Sequence, residues 1–237
     1  MSDSIVIIPT FNEIDNVERM TRAVMSLDKE FDILYVDDSS PDGTAEVIRK
    51  LQQEFPSRIF LEERSGKLGL GTAYIHGFKW SLAKEYEFIF EMDCDFSHNP
   101  DDLIRLYKAC KNNGADLSIG SRYCKGGKVK NWPINRILMS YFASVYVRLI
   151  LWMNIKDTTA GFKCYRNTVL EKINLDGVTF KGYAFQVCLK YAAKKHGFRI
   201  KEVPITFIDR ELGESKMSTS IFKEAFFGVW KMRSMDL

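Results

Sequence analysis

Phe88-Ile89-Phe90-Glu91-Met92-Asp93-Cys94-Asp95-Phe96-Ser97 reads as an apolar strand running straight into two carboxylates. A buried strand ending in acids two residues apart sets both side chains on one side of the chain, roughly 7 Å from each other. That spacing suits one hard divalent cation. Mg²⁺ in particular sits on one or two protein carboxylates and completes its shell with water and substrate phosphates. Asp93 and Asp95 therefore point to a metal-bound diphosphate, which usually belongs to a nucleotide. Taken alone, the same residues also serve to start a turn and cap a helix.

The sequence around this stretch alternates strands with helices. Ile5 to Ile8, Ile33 to Val36, Ile59 to Leu61 and Leu117 to Ile119 are further short apolar runs. Between them Ile14, Val17, Met20, Val24 and Leu27 recur at helical spacing, as do Val47, Ile48, Leu51 and Phe55. Repeated strand and helix predict an α/β fold, a Rossmann-like, mostly parallel sheet with helices on both faces. Ligands bind such sheets at the carboxyl ends of the strands. Those ends carry Pro9 to Glu13, Asp37 to Thr44, the Asp93 group, and Gly120 to Tyr123. Four such loops are expected to converge on one rim.

Composition narrows the class. A chain of 237 residues with 46% apolar content can bury a full core and carry a C-terminal extension. Its net charge of +3 is too small to argue for nucleic acid. Five cysteines without a C-x-x-C pair indicate neither a disulfide framework nor zinc, and a cytosolic setting fits best. The polar start, Met1 to Ser4, leads directly into a strand, so no signal peptide is expected.

The ordered motifs PTFNE (9–13), DDSSPDGT (37–44), GKLGLGTAY (66–74), MDCDFSH (92–98), GSRY (120–123), NWPINR (131–136), DTTAGFKCYR (157–166) and RELGESK (210–216) carry a family resemblance. Together they resemble the dolichol or polyprenol phosphate mannose synthases of glycosyltransferase family 2. The first aspartate loops are common to many family 2 enzymes, whereas the GSRY, NWP and last segments narrow the likeness to the polyprenyl phosphate branch. The resemblance implies a glycosyltransferase A fold and transfer of mannose, with inversion, from GDP-mannose to a polyprenyl or dolichyl monophosphate.

It also implies site residues. Pro9, Phe11, Glu13, Val36 and Asp38 would hold the nucleoside, with Asp38 and Glu13 accepting hydrogen bonds from base or ribose. Family members often have tyrosine where Phe11 stands, so a phenol contact is absent here. Pro9 and Glu13 read equally well as a helix start with Asn12 as its cap. Asp93, Cys94 and Asp95 would contact the donor, with Mg²⁺ or Mn²⁺ on Asp93 and Asp95. Ser97 would join through water, while His98 reads as a loop residue because hard cations prefer oxygen. Lys67, Gly69 and Gly71 read either as a phosphate-side loop or as a surface turn. Arg122, Arg210 and Lys216 would neutralise the donor phosphates, Asp95 and Arg122 being catalytic. Arg122, Arg136, Ser140 and Arg210 would bind the acceptor phosphate.

From Arg136 the non-aromatic polar side chains fall only at Arg136, Ser140, Ser144 and Arg148, one in four. On a helix over about 134–153 this draws one narrow polar stripe, drifting about 40° per step, on an otherwise apolar cylinder. A membrane span and a buried core helix are the rivals; two arginines and short apolar segments favour a helix lying at the bilayer surface with its stripe toward the cleft. The stretch 217–237 repeats the pattern: Ile221, Phe222, Ala225, Phe226, Val229 and Trp230 share a face, with Phe227 beside it and Lys223, Lys231 and Arg233 elsewhere. It suits a membrane interface or packing back on the sheet. The expected organisation is thus a catalytic domain over 1–216 and an amphipathic helix over 217–237, peripheral on the cytoplasmic face of a membrane or assisted by a separate anchor subunit.

A lipid monophosphate with a second pKa near 6 is already anionic at neutral pH, so a strong general base is unnecessary. The protein must bring two anions together and neutralise the departing nucleotide. Two other functions fit the motifs: a UDP-glucose-dependent polyprenyl phosphate glucosyltransferase, and a non-catalytic nucleotide-sugar-binding membrane adaptor.

Overall fold

The computed structural model describes residues 2–180, 182–209 and 219–237. The apolar runs become β1 (Ser4–Thr10), β2 (Asp32–Asp37), β3 (Ile59–Glu63), β4 (Phe88–Glu91) and β5 (Leu117–Ser121), separated by α1 (Ile14–Met25), α2 (Thr44–Glu54), α3 (Leu70–Ala83) and α4 (Asp102–Lys111). The second half adds β6 (Lys128–Lys130), α5 (Ile134–Leu151), β7 (Lys163–Arg166), α6 (Asn167–Lys172), α7 (Tyr183–Lys195), β8 (Ile200–Pro204), β9 (Thr206–Ile208) and α8 (Thr219–Met232).

Seven strands form the main sheet in the order β3-β2-β1-β4-β7-β5-β8. All pairings are parallel except those of β7, which runs antiparallel between β4 and β5. Alternate residues of each strand feed opposite layers. Ile5, Ile7, Leu34 and Val36 pack with α3, α7 and α8, whereas Val6, Ile8, Ile33 and Tyr35 pack with α1, α2 and α4. Burial on both faces is why these strands read as continuous apolar runs rather than alternating ones.

Gly77 on α3 lets that helix close onto β1, for a Cβ there would lie 2.7 Å from Ile7 Cγ2. The segment after β5 leaves the main sheet as β6, which pairs with β9 in a small second sheet. This detour sets NWPINR and α5 beside the cleft. The C-terminal helix is less separate than its sequence suggests: Val229, Met232 and Leu237 are buried in the same core as α3 and α7.

Candidate active site

The loops after β1, β2, β4 and β5 do converge. They surround a cleft of about 620 Å³ lined by Pro9, Phe11, Glu13, Asp38, Asp93, Cys94, Asp95, Ser97, Arg122 and Arg136, all expected from the sequence. Lys67 and Gly69 line it too, with the Lys67 ammonium 4.8 Å from the Phe11 ring centroid. The Val36 side chain is fully buried in the layer beneath the sheet and does not line the cleft, which leaves only its backbone for a bound nucleoside. Arg210 and Lys216 lie outside the described residues.

The β1 loop is held by its neighbour. Thr10 Oγ1 and both Ser40 donors bond the buried Asp37, which therefore braces the rim while Asp38 faces the cleft. Asp38 pairs with Arg64, a buried partner that the sequence reading missed because it lies 26 residues away beyond α2. Asn12 does not cap α1 as expected. It takes a left-handed φ of 56°, Glu13 sits at the N-cap, and the Ile14 amide donates to Asp42 instead. The Glu13 carboxylate accepts from Asn16 Nδ2 at 2.9 Å.

After Glu91 the chain stops being a strand and coils through Asp93 to Ser97. Phe96 takes φ 58°, and the Ser97 amide donates to Asp95 Oδ1 at 3.1 Å, closing a small turn that aims both acids into the cleft. Tyr74 Oη reaches Asp93 at 3.4 Å. His98 is buried and stacks on Phe162, and desolvation lowers its pKa to about 4. It is neutral at pH 7, so the 3.9 Å approach to the Asp93 carboxylate is no ion pair. Its Nδ1 accepts the Asp93 amide at 3.3 Å, which braces the loop. Two carboxylates and the Ser97 hydroxyl, whose buried oxygen has no hydrogen-bond partner, fit a cation that takes its other ligands from phosphate and water. No cluster of three or more acidic, histidine or cysteine side chains occurs among the described residues, as a closed all-protein cage would require.

Arg122 opens the opposite wall. Its Nε and Nη2 bond Asp157 at 2.7 Å each, its amide bonds the same carboxylate at 2.9 Å, and Nη2 also reaches Thr159 Oγ1 at 2.8 Å. Asp157 in turn is seated by Glu202 of β8, which accepts its amide and that of Lys156. Arg136 stacks 4.0 Å from the Trp132 ring centroid and pairs with Asp209 at 3.1 Å. Ser140 is half-buried on the next turn but outside the cleft lining. Thr159, Gly161 and Gln186 complete the wall, with Asp157 buried behind it; Asp157, Thr159 and Gly161 belong to the DTTAGFKCYR motif, whose spatial partners only the fold reveals.

Helix α5 is built outside in. Ser144 on the polar stripe is 1% exposed, whereas Phe142, Leu149 and Trp152 are 62%, 71% and 78% exposed. Beside it α8 turns Phe226, Phe227 and Trp230 outward, and Tyr146 ties the helices by stacking on Phe226 and accepting from Trp230 Nε1. Val229, expected on the same face as Phe226 and Trp230, points into the core instead. By length and composition α5 could cross a membrane. Its polar stripe turns inward at Ser144 and its apolar flank outward.

Residues 5–174 match the family model for glycosyl transferase family 2. The chain belongs to glycosyltransferase family 2. Two relatives bear out the narrower resemblance. It is 47% identical over 97% of its length to a polyprenol monophosphomannose synthase from Mycolicibacterium smegmatis, covering 87% of that protein. It is 46% identical over 95% of its length to an undecaprenyl-phosphate mannosyltransferase from Micrococcus luteus, covering 91% of that one. Among solved structures, glucosyl-3-phosphoglycerate synthase from Mycobacterium tuberculosis, with Mn²⁺ and UDP, superposes with a TM-score of 0.66 at 15% identity, over 97% of this chain and 78% of that one. A Pyrobaculum calidifontis mannosyltransferase with GDP-Man and Mn²⁺ gives 0.60 at 14%, over 98% and 70%. The fold is thus the glycosyltransferase A fold.

Proposed function

We propose that this glycosyltransferase moves mannose from GDP-mannose to a polyprenyl monophosphate at a membrane surface, with inversion, yielding polyprenyl phosphate mannose and GDP. One observation carries the reading: the Asp93/Asp95 loop and the Arg122–Trp132–Arg136 wall face each other across one cleft, beneath a helix that turns its apolar side outward. The names of the two relatives support the acceptor and the sugar. Asp38, Glu13 and Phe11 would take the nucleoside, and Arg210 and Lys216 would add positive charge near the phosphates.

Asp93, Asp95 and Ser97 would hold Mg²⁺ or Mn²⁺, which when bound neutralises charge on the departing diphosphate. Asp157 and Thr159 orient Arg122 so that its guanidinium faces the reacting region. Arg136, fixed by Trp132 and Asp209, would grip the acceptor phosphate together with Ser140 on the next turn. The acceptor is anionic at neutral pH, so no side chain is asked to remove a proton. The prenyl tail would lie along α5, whose outward residues with those of α8 dock the protein peripherally on the membrane.

The test is incubation with GDP-mannose or UDP-glucose, a short polyprenyl phosphate and Mn²⁺ or Mg²⁺. Mannolipid with free GDP supports the reading. Glucolipid from UDP-glucose alone would replace the donor, and nucleotide binding without lipid-dependent turnover would mean an adaptor.

A further inference from the structure

Two lysines lie fully buried behind the cleft, and they are partnered differently. Lys163 is paired with Glu91 at 2.9 Å, a carboxylate that also accepts from Tyr165 and Gln186. Lys190, on α7, has no carboxylate within ion-pairing distance among the described residues. Its ammonium donates to three carbonyl oxygens: Thr158 at 2.9 Å, Ala160 at 2.6 Å and Gln186 at 3.2 Å. Three acceptors match the three protons of an ammonium. Among the described residues nothing else donates to the Thr158 and Ala160 carbonyls. The segment between Asp157 and Ala160 therefore sits between two cations, with its side chains bonded to Arg122 in front and its carbonyls to Lys190 behind.

We propose that Lys190 is a positioning residue for the transfer step: by fixing the Thr158 and Ala160 carbonyls it holds Asp157 and Thr159 where they aim Arg122 into the cleft. Desolvating an ammonium is costly, and here that cost is offset by three hydrogen bonds to backbone carbonyls, of which those of Thr158 and Ala160 would otherwise lack a donor among the described residues. Burial and the neighbouring Lys163 charge also pull the Lys190 pKa well below the ordinary lysine value. What methionine could not replace is the set of donors that orders a loop without backbone ladder bonds.

The proposal rests on the reading of Arg122 as a transfer residue, and two measurements on the full chain separate the two. Lys190→Met should lower kcat about a hundredfold, the size expected when a catalytic group is displaced by an ångström. Combined with Arg122→Ala it should cost nothing more, since both act through one group. Additive losses, or an unchanged kcat, would overturn the idea. Hydrogen exchange of the 158–162 amides reads the same ordering without turnover: it should quicken in Lys190→Met, and equal protection in both proteins refutes the proposal whatever the substrate proves to be. If the methionine variant does not accumulate, Lys190→Gln retains two donors on a shorter arm and should give a smaller loss in both measurements.

Discussion

Arg122 illustrates how one side chain serves structure and chemistry together. Burial by itself would raise the Asp157 carboxyl, but the Arg122 charge and hydrogen bonds outweigh it and hold it below the usual carboxylate range. Because the folded-state pKa lies below the unfolded value near 3.9, this contribution to stability is complete above about pH 4 and is lost as pH falls through the lower folded value. Asp157→Asn should cost about 3–5 kcal/mol by urea denaturation at pH 7, since it strands a buried guanidinium. The variant should also lack the part of the acid-induced loss, below about pH 4, that wild type shows. Across the cleft, Arg136→Ala should remove about 3 kcal/mol of transition-state stabilisation, a hundredfold in transfer rate, while GDP binding persists. An unchanged rate would withdraw Arg136 from the acceptor site. Arg122 and Arg136 were legible from their motifs. Their carboxylate partners Asp157 and Asp209 were not, because pairing across 35 or 73 residues depends on which strands become neighbours.

At the scale of elements, the alternation of apolar runs with helical periodicities located β1 to β5 and α1, α2 and α5. It did not reveal β7, a short antiparallel strand whose Lys163 and Arg166 read as polar though Lys163 is fully buried. The one-in-four stripe of α5 was expected to face the cleft; Ser144 is buried against the protein, and of the four polar residues only Arg136 lines the cleft. Trp152 ends that helix in a left-handed conformation, φ 53°, which costs an aromatic residue on the order of 1 kcal/mol and holds the indole outward. Replacing Leu149 and Trp152 by Glu should weaken sedimentation with phospholipid vesicles by about 100-fold or more, given roughly 1.5–3 kcal/mol for each large apolar side chain buried. GDP affinity should not change. Vesicle binding equal to wild type would mean that the exposed flank covers something other than a membrane.

For the whole molecule, the cleft joins elements from both halves of the chain, so ligand and fold are thermodynamically linked. GDP with Mn²⁺ at a hundredfold excess over Kd should stabilise the protein by about 2.7 kcal/mol. Asp95→Asn should abolish the Mn²⁺-dependent part of that shift and nearly all transfer; a full shift in the variant would remove Asp95 from the metal site. Local sequence determined the strand–helix alternation, the acids at strand ends and the polar stripe, because each follows from periodicity and side-chain chemistry within a few residues. Tertiary structure alone decided that Val36 faces the core, that Asp42 caps α1, and that Val229 turns inward from Phe226 and Trp230. It also decided that Arg122 is clamped by Asp157. Those outcomes depend on which surfaces meet once the sheet has formed, and burial and long-range hydrogen bonding have no local signature.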